Sequence, residues 1–317
     1  MITINYLPND RTHYFRTIFN QLIKIKDENK KKINVNILVS KDGDENIDEK
    51  LLTDNGIETQ VIFQPHLGRH YMGKVEKGIE ESDKYSVSLD EDVFINNHIW
   101  DFMIENCDVL DSDENILMSP LLSTGIPTVD WFIDGVLDDE DKNTMYDIFK
   151  TLRIGEHNPN EPIPPGCQVL NEHTIFSDKW DYEKWYEGVF RLDTHYKGVH
   201  PIRILDSAQQ KMLEFCLKYK SKLLEKRNYE LFKVKFRPYF NNNVYMIKTS
   251  TWEKIVYDSS LFVDKFDEVP LNRYRLDNNL NMIFIKNGFG VHPSFNWIGM
   301  DRYTEISDTF FEQIDKG

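Results

Sequence analysis

Cysteine and long apolar runs are scarce in this chain, and each scarcity excludes a class of protein. The 317 residues include three cysteines without the close spacing typical of zinc sites, so we expect free thiols in a reducing compartment. No apolar stretch approaches the roughly 20 residues that a membrane-spanning helix needs. The first residues show no basic segment followed by an apolar one, so we expect no signal peptide and a cytoplasmic location.

Alanine is also scarce, whereas Lys, Asn, Ile, Phe and Tyr are abundant: Ala208 is the single alanine. This usage is typical of an AT-rich coding sequence, and we interpret it as a sign of a viral or low-GC bacterial source. Apolar residues still make up 40% of the chain and aromatic residues 13%. These fractions are typical of a globular protein and exclude an intrinsically disordered one.

Basic residues are missing from one long segment. Residues 85–141 contain no Lys or Arg and fifteen acids, in a chain with a formal net charge of −15. This balance argues against a generic nucleic-acid-binding protein, because phosphate backbones attract Lys and Arg. Residues 211–237 are the exception, with nine bases against three acids.

Strand-like and helix-like segments alternate through the first half of the chain. The apolar patterns predict strands over residues 2–7, 33–40, 58–64, 85–95 and 115–122. They predict helices between these strands, over residues 12–27, 47–55, 69–82 and 97–110. This alternation indicates βαβ units, so we expect an α/β fold with a mainly parallel, Rossmann-like sheet flanked by helices.

The second half of the chain is less regular. Its patterns predict a proline-rich loop over residues 157–168, a helix over 206–225, a strand–turn–strand over 233–247, and a helix over 276–287 closed by Gly288.

The strongest chemical signal is the segment YSVSLDEDVFI, in which an apolar strand runs into Asp90, Glu91 and Asp92. In an extended chain, residues i and i+2 point the same way, so Asp90 and Asp92 are predicted to face one site. Neighbouring carboxylates repel each other unless a cation lies between them, and a hard divalent cation binds carboxylate and phosphate oxygens. The alternative is a solvated acidic turn, because Asp-x-Asp pairs recur elsewhere in this acidic chain.

This segment, with the opening strand and loop YLPNDR, resembles the GT-A superfamily of glycosyltransferases, in which alternating β and α elements lead to an Asp-x-Asp strand end. The resemblance implies a GT-A-like fold, with a donor-binding lobe over residues 1–125 and an acceptor-binding, catalytic lobe over 126–317. It also implies a metal-dependent enzyme that transfers a sugar from a nucleotide-diphosphate sugar, with UDP-sugar favoured, to an acceptor hydroxyl. Mn²⁺ or Mg²⁺ would be the cation.

The resemblance further implies positions for the donor and the cation. Donor contacts are implied for Tyr6, Pro8, Asn9, Asp10, Arg11, Arg69, Lys74, Asp90 and Glu91. Cation ligands are implied at Asp90 and Asp92, with His292 in GFGVHPSFNW as the third. For the positions outside the acidic triplet, an ordinary strand-to-helix loop, a solvated helix start and a hydrogen-bonded structural histidine stay open as alternatives.

An inverting enzyme also needs a base near the acceptor hydroxyl, and the resemblance implies Asp267 or Glu268 for this role. Helix capping by the same acids is the alternative. The basic segment 211–237 interleaves aromatic residues with Lys and Arg, which suits an anionic polymer with exposed bases. An amphipathic helix explains the same pattern and is favoured. The acceptor therefore stays open between a glycan, a protein, a small molecule and 5-hydroxymethylcytosine in phage-type DNA.

Two other functions stay open on the sequence alone. A nucleotidyltransferase also combines an α/β fold with paired acids, although YLPNDR lacks the glycine-rich phosphate loop and lysine expected there. A non-catalytic nucleotide- or glycan-binding protein on the same fold is the other. The sequence indicates no particular oligomeric state.

Overall fold

The computed structural model describes residues 1–7, 12–29, 33–40, 49–56, 59–62, 78–80, 82–125, 128–150, 202, 206–234, 240, 243–257, 268–293 and 308–314. The chain divides into two compact units. The first comprises residues 1–120, 226–235 and 242–288, and the second comprises 121–225, 236–241 and 289–317. Later segments thus return to the first unit, and the donor and acceptor roles predicted for two successive lobes stay predictions.

Eight strands occur within the described ranges. They are β1 (Ile2–Leu7), β2 (Ile33–Ser40), β3 (Thr59–Ile62), β4 (Tyr85–Asp90), β5 (Asn115–Leu122), β6 (Glu230–Val234), β7 (Val244–Lys248) and β8 (Asn281–Gly290). The helices are α1 (Thr12–Glu28), α2 (Glu49–Asp54), α3 (Asn97–Glu105), α4 (Val129–Val136), α5 (Asp139–Lys150), α6 (Asp206–Lys218), α7 (Lys220–Leu224), α8 (Thr249–Tyr257) and α9 (Glu268–Asp277). A 3₁₀ turn covers Cys107–Asp111, and residues 308–314 are helical. No helix in these ranges is long and apolar enough to cross a bilayer.

The strands form one sheet in the order β3-β2-β1-β4-β7-β5-β8-β6. β1 pairs in parallel with β2 and β4, and β2 pairs in parallel with β3. β7 runs antiparallel to β4 and β5, and β6 runs antiparallel to β8. The β5–β8 pair is parallel, because backbone bonds link Asn281 N to Glu114 O at one end and Ser123 N to Gly290 O at the other. The predicted α/β fold class is confirmed.

One face of the parallel part of the sheet is covered by α1. The buried residues of this helix recur every three or four positions and include Phe15, Ile18 and Phe19. The ring of Phe15 lies 5.8 Å from the ring of Tyr6, so the apolar stripe of α1 packs on the end of β1. This packing determines which side of β1 faces the core.

The opposite face carries a polar network. Asn5 donates through Nδ2 to Ser82 Oγ at 2.9 Å and to Ser86 Oγ at 2.8 Å, and its Oδ1 accepts from Asn36 at 2.9 Å. A Cβ atom at Gly78 would lie 2.9 Å from Asn5 Cγ, so only glycine allows this close approach. The network therefore holds Gly78 and Ser82 against the sheet, because buried amide groups are costly when left without partners.

The prediction of a helix over residues 276–287 is wrong. The helix α9 ends at Asp277, and the strand β8 begins at Asn281. Asn279 has a φ of 54°, in the left-handed region that ends a right-handed helix, and Asn278 and Asn279 donate backbone bonds to the last turn of α9. The apolar residues that follow are fully buried between β5 and β6, so pairing within the sheet outweighs the local helical spacing.

Other predicted bounds differ in smaller ways. The predicted helix over residues 206–225 is two helices, α6 and α7, that meet at Tyr219. The strands β6 and β7 do not pair with each other in the described residues, because each lies beside other strands of the sheet. The predicted loop over residues 157–168 lies outside the described residues, as does most of the predicted helix over 69–82.

Candidate functional site

The candidate site lies at the carboxyl end of β4. β1 has β2 on one side and β4 on the other, so the strand order changes direction between β1 and β4. In open α/β sheets, ligands bind outside the carboxyl ends of the strands at such a switch point. Leu7 and Asp90, the last residues of β1 and β4, are register partners. The acidic residues that follow β4 therefore lie where this architecture places a ligand.

The chain turns immediately after Asp90. Val93 N donates to Asp90 O at 3.4 Å, and Glu91 and Asp92 occupy the turn between them. The predicted extension of the strand beyond Asp90 is therefore wrong, and the alternation argument does not apply to the two aspartates. Burial raises the pKa of Tyr6 well above its usual value, and the negative charges of Glu91, Asp92 and Asp90 raise it further. All three acids therefore lie near this one buried side chain.

Tyr6 supports this turn from within the core. Its side chain is fully buried, and its hydroxyl donates to the backbone carbonyl of Glu91 at 3.0 Å. A tyrosine hydroxyl is protonated at neutral pH at its ordinary pKa, so it can donate to this carbonyl. The structure therefore shows Tyr6 holding the acidic turn, and its predicted contact with a nucleotide stays a prediction.

Asn243 holds the other side of the turn. Its backbone carbonyl accepts from Asp90 N at 3.0 Å, and its side-chain amide donates to the Asp90 carboxylate. Asn243 directly precedes β7, the antiparallel neighbour of β4. The sequence pattern predicts a turn before this strand but does not indicate the contact with Asp90, because the two residues lie 153 positions apart.

The acids of the turn are largely buried. Asp92 is 3% exposed and Glu91 is 6% exposed, whereas Asp90 is intermediate. A solvated acidic turn would expose these side chains, so their burial argues against that alternative. Carboxylate oxygens are hard donors that fit Mn²⁺ or Mg²⁺. Within the described part of the chain, no three His, Cys, Asp or Glu side chains are already grouped as a metal site.

His292 lies in the second unit, just after β8, and is 6% exposed. Its backbone N donates to Ser123 Oγ at 3.1 Å, and its carbonyl accepts from Ser123 Oγ at 3.3 Å and from Thr124 Oγ1 at 2.9 Å. The ring nitrogen Nδ1 lies 2.7 Å from Thr124 Oγ1. The role of His292 as a third cation ligand stays a prediction.

The other predicted site residues fall mainly outside the described residues. These are Pro8, Asn9, Asp10, Arg11, Arg69, Lys74 and Asp267. Glu268 is the first residue of α9, and its side chain is not among those described. The predicted donor contacts and the predicted base therefore stay predictions.

The basic segment 211–237 is helical through the end of α7 at Leu224 and forms the strand β6 over Glu230–Val234, so the predicted amphipathic helix is confirmed for its first part alone. Phe215 and Tyr219 are 6% and 8% exposed, so their rings face the core of the second unit. Lys218 pairs with Asp141 at 2.5 Å, and Lys222 donates to a backbone carbonyl. Rings buried in this way offer no stacking surface for exposed bases. The predicted contact with modified DNA through this segment stays a prediction.

No protein-family model matches this chain, and no curated protein matches its sequence. Among solved structures it is similar to GalNAc-T7 with UDP, GalNAc and Mn²⁺, at 11% identity and a TM-score of 0.45. The alignment covers 99% of this chain and 50% of the GalNAc-T7 chain, so this chain spans half the length of that protein. A likeness of this degree establishes neither a shared family nor a shared function.

Proposed function

We propose that this protein is a metal-dependent glycosyltransferase that uses a nucleotide-diphosphate sugar, with UDP-sugar as the favoured donor. The observation that carries the proposal is the buried acidic turn, Asp90 to Asp92, at the switch point of an α/β sheet. Neighbouring strands hold this turn from two sides, through Tyr6 and Asn243.

Charge explains why such a turn suits a nucleotide diphosphate. Three carboxylates repel a diphosphate, and residues 85–141 contain no Lys or Arg that would neutralise it. A divalent cation shared between the carboxylates and the phosphates removes this repulsion. When bound, the cation stabilises the negative charge on the leaving diphosphate.

The roles of the individual residues follow from this arrangement. Asp90 and Asp92 are the proposed cation ligands, with His292 as the proposed third. Tyr6 and Asn243 orient the turn through the hydrogen bonds described above. If the stereochemistry inverts, Asp267 or Glu268 takes the proton of the acceptor hydroxyl. Pro8, Asn9, Asp10, Arg11, Arg69, Lys74 and Glu91 are the proposed donor contacts.

A thermal-shift panel tests the donor site. The ligands are UDP, GDP, CMP and UDP-sugars, each with Mn²⁺, Mg²⁺ or EDTA. A ligand at 100 times its Kd stabilises the folded state by about 2.7 kcal/mol, which raises the melting temperature by about 5 °C. We expect this shift with one nucleotide in the presence of a cation, and its loss in Asp92→Asn.

The matched control is Asp113→Asn, an exposed acid of another Asp-x-Asp pair. This variant should behave like the wild type. A shift that is unaffected by EDTA would favour a binding protein without a cation site, and no shift with any nucleotide would overturn the proposal. Release of UDP from a UDP-sugar, measured with glycan, protein and hydroxymethylated-DNA acceptors, then separates transfer from binding alone.

A further inference from the structure

A glutamine on α1 bonds to the segment that leaves the acidic turn. Gln21 donates through Nε2 to the backbone carbonyl of Ile95 at 2.6 Å and to Asn97 Oδ1 at 3.0 Å. Ile95 lies three residues after Asp92, and Asn97 is the first residue of α3. Gln21 therefore ties the junction between the acidic turn and α3 to α1.

The geometry shows which end of the Gln21 amide faces this junction. A backbone carbonyl can only accept, so Nε2 and not Oε1 lies at 2.6 Å from the carbonyl oxygen of Ile95. The amide has two N–H groups, and two oxygens lie within bonding distance of its nitrogen. Ile95 is fully buried, so its carbonyl is costly to leave without a donor.

The junction is short and buried, which limits how far the acidic turn can move. Val93 is 1% exposed and Ile95 is 0% exposed, and Val93 N closes the turn onto Asp90 O at 3.4 Å. Tyr6 holds the carbonyl of Glu91 on the near side of these residues. A shift of the turn would therefore break a bond on one side or unpack a buried side chain on the other.

The helix α1 supports the acidic turn at a second point. The ring of Phe15 lies 5.8 Å from the ring of Tyr6, and Tyr6 donates to the carbonyl of Glu91. One helix thus supports the turn both through the core beneath it and through the segment that follows it. All of these residues belong to the first unit.

We propose that Gln21 is a positioning residue that holds the acidic turn in the arrangement that binds a divalent cation. The cation rests on the proposed function, whereas the dependence of the turn on Gln21 does not. Groups that orient metal ligands change metal affinity without touching the metal. Gln21 acts in this way through the backbone of Ile95.

NMR of the metal-free chain tests the dependence of the turn on Gln21. The chain is labelled with ¹⁵N-valine and kept in EDTA, and Val93→Ile assigns the amide of Val93, which closes the turn. The variant is Gln21→Met, which keeps the length of the side chain and removes both N–H groups. We expect a shifted Val93 amide signal in this variant, and an unchanged signal overturns the proposal.

Asn106→Leu is the matched control. Asn106 donates through Nδ2 to Phe102 O at 2.8 Å, at the other end of α3, and leucine likewise replaces the amide by an apolar group of similar size. This variant should leave the Val93 signal unchanged. An equal shift in both variants would mean that any loosening of α3 disturbs the turn, which contradicts a specific role for Gln21.

Mn²⁺ titration followed by EPR tests the cation role. An ordinary hydrogen bond is worth at most about a factor of ten in affinity, so Gln21→Met should bind Mn²⁺ roughly three- to tenfold more weakly. Asn106→Leu should keep the wild-type affinity. A shifted Val93 signal without any loss of affinity contradicts the positioning of the cation site. Absence of Mn²⁺ binding in the wild type, with the expected Val93 signals, overturns the proposed function at its cation and leaves Gln21 as the residue that holds the turn.

Discussion

Replacing Tyr6 with phenylalanine removes one oxygen atom from beneath the acidic turn and leaves the ring in place. The lost hydroxyl is fully buried and donates to the carbonyl of Glu91 at 3.0 Å. Leaving a buried carbonyl without its donor lowers the free energy of unfolding by about 1–3 kcal/mol. For a chain of this size the melting temperature falls by about 2 °C for each kcal/mol, so Tyr6→Phe should melt roughly 2–6 °C below the wild type.

The same change should weaken the site. The carbonyl that Tyr6 holds belongs to the residue between Asp90 and Asp92, so the two proposed cation ligands lose a common support. If about 1.4 kcal/mol of the lost energy is expressed in binding, the affinity for UDP with Mn²⁺ falls about tenfold. Isothermal titration calorimetry of UDP with Mn²⁺ measures this loss, and thermal melting without ligand measures the stability change separately.

Tyr85→Phe is the matched control for this prediction. Tyr85 is buried and begins β4, at the end of the strand away from the acidic turn, and its hydroxyl interacts with Lys84 and Asp111. This variant should lose stability at most and should keep the affinity for UDP with Mn²⁺. Unchanged UDP affinity in Tyr6→Phe, or an equal loss in both variants, would refute the argument that Tyr6 holds the site.

Three further predictions follow from named contacts. Asn243→Ala removes the amide that donates to the Asp90 carboxylate and should lower the affinity for Mn²⁺ by about tenfold, measured by EPR titration. Burial raises the pKa of Cys216 to about 12, above the unfolded value near 8.5. The folded state thus holds this proton more tightly than the unfolded state does. The contribution of Cys216 to the free energy of unfolding is complete below about pH 8.5, and it falls by up to about 1.4 kcal/mol per pH unit toward pH 12. Urea unfolding at several pH values should show a weaker pH dependence of this free energy in Cys216→Ala. Gly135→Ala would place a Cβ 2.1 Å from the ring of Phe289 and should destabilise the fold by about 1–3 kcal/mol, with partial recovery in the double variant with Phe289→Leu.

Much of the sheet could be predicted because the apolar pattern within several strands is enough to identify them. Residues 2–7, 33–40 and 115–122 were predicted as strands, and the structure has the same bounds. The failure at β8 has a physical cause. Its apolar residues also fit a helical spacing, and only burial between β5 and β6 decides in favour of a strand.

The residues that hold the acidic turn in place were harder to predict than the acids themselves. Asp90 stands at the end of an apolar strand, which the sequence shows directly, whereas the contact with Asn243 depends on the pairing of β4 with β7. For Tyr6, by contrast, the sequence itself indicates a structural role. In ITINYL it shares a strand face with Ile2 and Ile4, and this alternation indicates a core side chain.

The position of β4 within the sheet explains why its end can hold charge in a defined place. β1 lies on one side of β4 and β7 on the other, and a residue of β1 and the residue before β7 both bond to the turn. Tyr6 of β1 binds the carbonyl of Glu91, and Asn243 before β7 binds the carboxylate of Asp90. A turn that served only to connect β4 with α3 would need neither bond, and its acids would lie in solvent. A turn whose backbone and first carboxylate are held by the fold requires little rearrangement when a cation arrives, which is the condition for a preorganised site.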